Sequence, residues 1–148
     1  MEAANRGASE AKGINIGLNI SIPFEQHDNP YITRELSFEF HYFFMRKFWF
    51  VSLAKAIVVF PGGFGTLDEF FEVLTLVQPH KLKKPMSIVL YGASFWNDVL
   101  DLDALVRHGT VNAEDLELFH RVDSVDAAFD TITADLTDRA LDAPGRIL

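Results

Sequence analysis

The chain has no cysteine. Disulfides and thiolate chemistry are therefore excluded, and a reducing compartment is the fitting one. Basic residues are scarce: 13 Lys and Arg stand against 21 Asp and Glu, a formal net charge of −8. A non-specific nucleic-acid surface needs the opposite balance, so no nucleic-acid partner is expected. Charges interrupt every apolar run before it reaches the length of a membrane span, and no membrane partner is expected. The opening stretch MEAANRGASEAKG has no apolar signal core. The expected location is cytoplasmic. His27, His41, His80, His108 and His120 lack metal-ligand spacing, and no metal is expected.

What is present fits a filled core. The 148 residues are 49% hydrophobic, enough for one domain over 1–148. Residues 1–11 are expected to form a short helix ending near Gly13. Ile14–Ile20 alternates like a strand, and Pro23–Pro30 reads as a polar loop. Thr33 or Ser37 is expected to cap a long helix running to about Ala54, apolar enough to be buried on more than one side. Ala56–Phe60 reads as a strand covered on both faces, and Leu67–Gln78 as a helix. A basic loop, HKLKKP, leads to a strand over Met86–Tyr91. Helix is expected over Phe95–Arg107 and Val125–Arg139, the latter capped by Ser124, with a short strand at Leu118–Val122. The alternation of strands and helices predicts an α/β fold, a Rossmann-like parallel sheet flanked by helices.

The stretch Pro61–Glu69, PGGFGTLDE, is the most informative. It joins the apolar strand to a helix through a glycine-rich turn. Gly62, Gly63 and Gly65 allow close backbone approach to a ligand. The helix behind them aims N–H groups and the positive end of its dipole at that ligand. Thr66 adds a hydroxyl, and Glu69 is expected about one turn inside the helix, facing the same mouth. An anion site beside a carboxylate points to a phosphorylated substrate with chemistry next to the phosphate.

PGGFGTLDE resembles the PGGxGTxxE motif of the Lonely Guy family of nucleotide phosphoribohydrolases, members of which have often been labelled lysine decarboxylases. Phe44-Met45-Arg46-Lys47 resembles that family's Arg-Lys pair, and the 23 positions from Arg46 to Glu69 match its pattern. MEAANRGA is similar to the segment that follows the family's glycine-rich GGGxG turn. Asn29-Pro30-Tyr31 and the FF-x-RK run at Phe43–Lys47 place the chain nearer the bacterial branch. The GGGxG turn and the strands before it have no counterpart here, so an N-terminally shortened chain is expected.

The resemblance implies hydrolysis of a nucleoside 5′-monophosphate, AMP or an N6-modified AMP such as a cytokinin nucleotide, to free base and ribose 5-phosphate. It implies no cofactor and a homodimer with active sites near the subunit interface. Cleaving the N-glycosidic bond builds positive charge on the ribose. A carboxylate can stabilise that charge or orient a water, which makes Glu69 a catalytic candidate. Gly62, Gly63, Gly65 and Thr66 are the phosphate-binding candidates. Arg46 is the second catalytic candidate, with three roles open to it: meeting the phosphate, orienting Glu69, or assisting the departing base. Lys47 adds charge to the substrate pocket.

Each assignment has a plainer counterpart. The turn alone is as often a tight strand-to-helix connection as a phosphate site. Asp68 suits a first-turn carboxylate serving the helix dipole. Arg46 and Lys47 have the plainer reading of solvated helix charges, yet they interrupt an apolar helix, where a charge needs a partner or ligand. Phe43, Phe44, Phe48, Trp49 and Phe50 fit core or dimer packing better than base stacking. Asp101, Asp103, Glu114, Asp115 and Glu117 read as surface charge. Two other functions compete with hydrolysis: a non-catalytic nucleotide or phosphosugar-binding module, and a pyridoxal-phosphate decarboxylase. The decarboxylase needs a Schiff-base lysine, and none stands in a recognisable cofactor context.

Overall fold

A computed structural model describes residues 2–21, 29–78 and 86–139. The expected loops at Pro23–Pro30 and HKLKKP fall largely outside these residues. The chain divides into two compact units, Met1–Val51 and Ser52–Leu148. Both are α/β, and every strand pairing described is parallel.

The first unit opens with helix α1, Glu2–Glu10, followed by strand β1, Gly17–Ile20. The expected strand began three residues earlier, at Ile14. Asn15 explains the delay. Its backbone N–H donates to Thr33 Oγ1 at 3.2 Å, and its carbonyl accepts from the Thr33 N–H at 3.1 Å. Its buried side chain accepts from Asn5 Nδ2 at 3.0 Å and donates to Ser9 Oγ at 3.1 Å. These bonds tie the segment to α1 and to the turn before residue 34, so it has no ladder to join.

The long helix expected from Thr33 or Ser37 is not formed. A 3-10 turn over Arg34–Leu36 leads into strand β2, Ser37–Phe40, and only then into helix α2, Phe43–Leu53. Thr33 stands at the cap position of the 3-10 turn without capping it through its side chain. Strand β2 pairs with β1 in register from Gly17↔Ser37 to Ile20↔Phe40. Nor is α2 buried on several sides: Phe44 is 64% exposed, Phe43 56%, Phe48 44% and Trp49 41%. Val51 and Ser52 are its buried positions.

The second unit holds strands β3 (Ala56–Val59), β4 (Ser87–Tyr91) and β5 (His120–Val122), in the order β3-β4-β5. Helix α3, Phe64–Val77, follows β3. Between β4 and β5 lie α4 (Ala93–Val99), α5 (Leu102–Arg107) and a 3-10 turn, Ala113–Leu118. Helix α6, Val125–Arg139, closes the described chain.

Buried apolar strands form the centre of this unit. Ile57, Val59, Ile88, Val89 and Leu90 are all buried, as a parallel sheet covered on both faces requires. Phe70 and Val73 are the buried residues of α3, and Trp96 that of α4. The Phe70 ring lies 5.6 Å from Phe119 in an edge arrangement and 6.1 Å from Trp96. Trp96 Nε1 donates to the Tyr91 carbonyl at 2.9 Å, so its polar edge is satisfied within the core. Val89, Val122 and Ala128 form a second cluster with Ile132 of α6 packed against it.

The helix expected over Phe95–Arg107 is two helices. Asp101 breaks it, because its side chain caps α5 by accepting from the Ala104 N–H at 2.9 Å. Asp115, read as surface charge, instead completes a capping box with Asn112 and accepts from Gln78 Nε2 at 2.7 Å. Ser124 caps α6 as expected, its Oγ accepting from the Ala127 N–H at 3.1 Å.

Candidate active site

Strand β3 ends at Val59, and the chain then turns through Phe60 to Gly63 into α3. The turn stands at the C-terminal edge of a parallel strand, where ligands of open α/β sheets bind. Helix α3 starts at Phe64, three residues before its expected start. Gly63 is the N-cap, so Phe64, Gly65 and Thr66 are the first three helical residues. Their N–H groups belong to the set that no helix can satisfy internally. The first ladder bond described runs from the Leu67 N–H to the Gly63 carbonyl, at 3.1 Å.

This start revises two expectations. Glu69 is the sixth residue of α3, about one and a half turns in, rather than about one. Asp68 is likewise beyond the first turn and is not positioned for the dipole role given to it. Glu69 still shares a face with the turn, because Gly65 and Thr66 lie four and three residues before it. It is half-buried, whereas Asp68 is exposed. Glu72, which sequence reasoning did not single out, is a second half-buried carboxylate three residues further along that stripe. Its only signal was the spacing.

The three glycines differ in what the chain asks of them. A Cβ on Gly62 would lie 2.9 Å from Thr66 Cβ and 3.2 Å from Thr66 Cγ2, with Oγ1 closer still. Glycine there lets Thr66 fold back over the turn. Added Cβ atoms on Gly63 and Gly65 would meet nothing within 4 Å. Neither glycine has a positive φ; Gly63 has φ −90°. Packing thus demands glycine at 62, and neither packing nor a positive φ demands it at 63 or 65.

The end of α3 also differs from its neighbours. Gly63 offers no side-chain cap. At α4 the Ala93 N–H is held by Asp123 Oδ1 at 2.7 Å, and α5 and α6 are capped by Asp101 and Ser124. Beside the turn, Gly92 adopts φ +86°, open mainly to glycine, and its added Cβ would be 3.2 Å from Pro61 Cγ. The β3 and β4 exits are thereby packed against each other.

Arg46 and Lys47 lie on α2, in the first unit, and both are half-buried. Each has an interaction with another group. Gly62, Gly63, Gly65, Thr66 and Glu69 belong to the second unit, which gathers them at one helix terminus.

The family described as "Possible lysine decarboxylase" matches residues 1–132, most of the chain. The chain belongs to this family, the Lonely Guy family of its motifs. A curated Lonely Guy relative, cytokinin riboside 5′-monophosphate phosphoribohydrolase LOG7 of Arabidopsis thaliana, is 31% identical over 117 residues. The match covers 68% of this chain and 52% of the relative, so the chain spans about half the length of that protein.

The older description raises a pyridoxal reading, which the described residues of the second unit do not support. A pyridoxal enzyme needs a lysine at the cofactor's ring. Among the described residues of this unit the one lysine is Lys55, immediately before β3 and so at the strand end opposite the turn.

Proposed function

We propose that this chain is a phosphoribohydrolase acting on nucleoside 5′-monophosphates, with AMP or an N6-modified AMP as substrate. The observation that carries the reading is the bare N-terminus of α3. It is reached through Gly63 and Gly65, which packing among the described residues does not require, and its N-cap residue has no side chain to cap it. A phosphate approaching those amides supplies the missing reason for both features.

The reaction adds water across the N-glycosidic bond and yields free base and ribose 5-phosphate. The phosphate takes no part in bond-making. Its binding at Gly62–Thr66 holds the ribose in place, so that binding energy remote from C1′ serves the chemical step. Glu69 carries the chemistry. Its carboxylate stabilises the cationic ribose of the transition state and orients the attacking water. Arg46 provides a fixed guanidinium for the same reaction, and Lys47 adds positive charge for the anionic substrate. No cofactor enters this scheme.

The reading extends to a cytoplasmic homodimer. Exposed rings at Phe43, Phe44, Phe48 and Trp49 support self-association, since apolar area of that kind favours burial against a second copy. Sedimentation at micromolar concentration should give a dimer; a monomer would refute that part.

The test is product analysis after incubation with AMP. Equal amounts of adenine and ribose 5-phosphate are expected. Failure to release base from any purine or pyrimidine monophosphate would reject hydrolysis and favour a nucleotide or phosphosugar-binding module.

A further inference from the structure

We propose that the ring of Phe60, backed by Tyr91, is the platform on which the planar base of the substrate stacks. The proposal rests on the nucleotide reading above and names how the same site recognises the base.

Sheet register creates the platform. Strands β3 and β4 pair through Val59↔Leu90, so the next residues in step are Phe60 and Tyr91. Their ring centroids are 5.2 Å apart with planes inclined by 41°. Tyr91 is held from behind. It packs against the Val89, Val122 and Ala128 cluster, and its carbonyl accepts from Trp96 Nε1 at 2.9 Å. Phe60 rests on this support yet remains 52% exposed. One ring is thus held against the core, and the ring above it meets solvent.

Position supplies the occupant. Phe60 immediately precedes Pro61, Gly62 and Gly63, so ring and anion turn belong to one short piece of chain. Pro61 fixes its own φ, and its ring abuts Gly92. A ligand that meets both features must join an anion to a flat apolar ring over a short span. A nucleoside 5′-monophosphate does so through one pentose.

Phe64 is the competing ring and is the weaker choice. At 91% exposure it has little around it to hold one orientation, so stacking on it would cost rotamer freedom. Phe60 is already ordered by Tyr91. Stacking reads area rather than hydrogen-bond pattern, so the platform favours purine over pyrimidine monophosphates.

The test is calorimetric titration of the full chain in a Glu69→Gln background, so that no ligand is consumed. AMP and ribose 5-phosphate are the two probes, with Phe60 intact, Phe60→Leu, Phe60→Tyr and Phe64→Ala compared. Phe60→Leu should weaken AMP about tenfold and leave ribose 5-phosphate within about twofold, in line with the worth of one base–aromatic stack. Phe60→Tyr should restore AMP binding, and Phe64→Ala should not weaken AMP more than it weakens ribose 5-phosphate. Equal loss of both ligands in Phe60→Leu, no loss of AMP, or a loss in Phe64→Ala confined to AMP would overturn the platform. Binding of AMP by the wild-type chain without base release would sink the hydrolase reading and leave this comparison intact. Binding of neither probe would refute both.

Discussion

Thr66 lies over the Cα of Gly62, so that a Cβ at position 62 would stand 2.9 Å from Thr66 Cβ. The turn is therefore closed from inside by a threonine and open on the side of Gly63 and Gly65, where an added Cβ would meet nothing within 4 Å. The three glycines of one motif answer to two different demands. One serves the fold, and the proposed ligand accounts for the other two.

Alanine at each glycine separates those demands. Gly62→Ala should destabilise the second unit by about 1–3 kcal/mol, because it overpacks against Thr66. Gly63→Ala, at the N-cap, should cost about 1 kcal/mol or less. Gly65→Ala, inside the first helical turn, should stabilise by about 0.4–1 kcal/mol through the unfolded chain. Both of the latter should nonetheless weaken ribose 5-phosphate binding about tenfold or more, since the methyl enters the space given to the phosphate. Chemical denaturation and calorimetry on the same three proteins check this. Unchanged binding in Gly63→Ala and Gly65→Ala would remove the reason offered for those glycines.

Gly92→Ala should be the more damaging glycine change away from the turn. The residue sits at φ +86°, and the new Cβ would come 3.2 Å from Pro61 Cγ. Strain of about 1–3 kcal/mol is expected from the left-handed backbone alone. Because Pro61 opens the anion turn, ribose 5-phosphate affinity should fall together with the midpoint.

Asp101 gives the fold an acid-sensitive joint. A hydrogen bond from the Arg107 guanidinium, at 2.8 Å, and one from the Ala104 N–H hold its carboxyl below the ordinary value of 3.8. A carboxyl depressed on folding stabilises the native state above its unfolded pKa. That contribution is lost as pH falls through the lower, folded value. Asp101→Ala should therefore lower the melting temperature near neutrality. The gap from the wild type should close in acid, below 3.8. Thermal melts of both proteins across that range check the sign, and a gap that widened in acid would contradict it.

The sequence showed the motif well and the surroundings poorly. Strand β3, the turn and α3 were legible because a continuous apolar run, a Pro-Gly-Gly break and a helical apolar pattern follow one another without ambiguity. The start of α3 was placed late because Gly63 and Gly65 read as turn, although at a helix N-terminus a glycine costs little. Strand β2 was missed altogether. Ser37-Phe38-Glu39-Phe40 is too short to show its period against the aromatic run that follows, and its pairing with β1 is a non-local contact. The apolar content of α2 was read as burial, whereas apolar character alone does not name a covering partner. Asp101 and Asp115 looked like surface charge because capping depends on where a helix begins, which local composition leaves open. The pairing of Phe60 with Tyr91 exists only once β3 and β4 are in register, and no local pattern announces it.

The most direct measurement is a comparison of Glu69→Gln with the wild-type chain, recording AMP turnover and ribose 5-phosphate affinity together. The account predicts a fall in kcat of about a hundredfold or more, the scale of a positioned acid–base group, with affinity held within about twofold. Turnover that survives the substitution would contradict it.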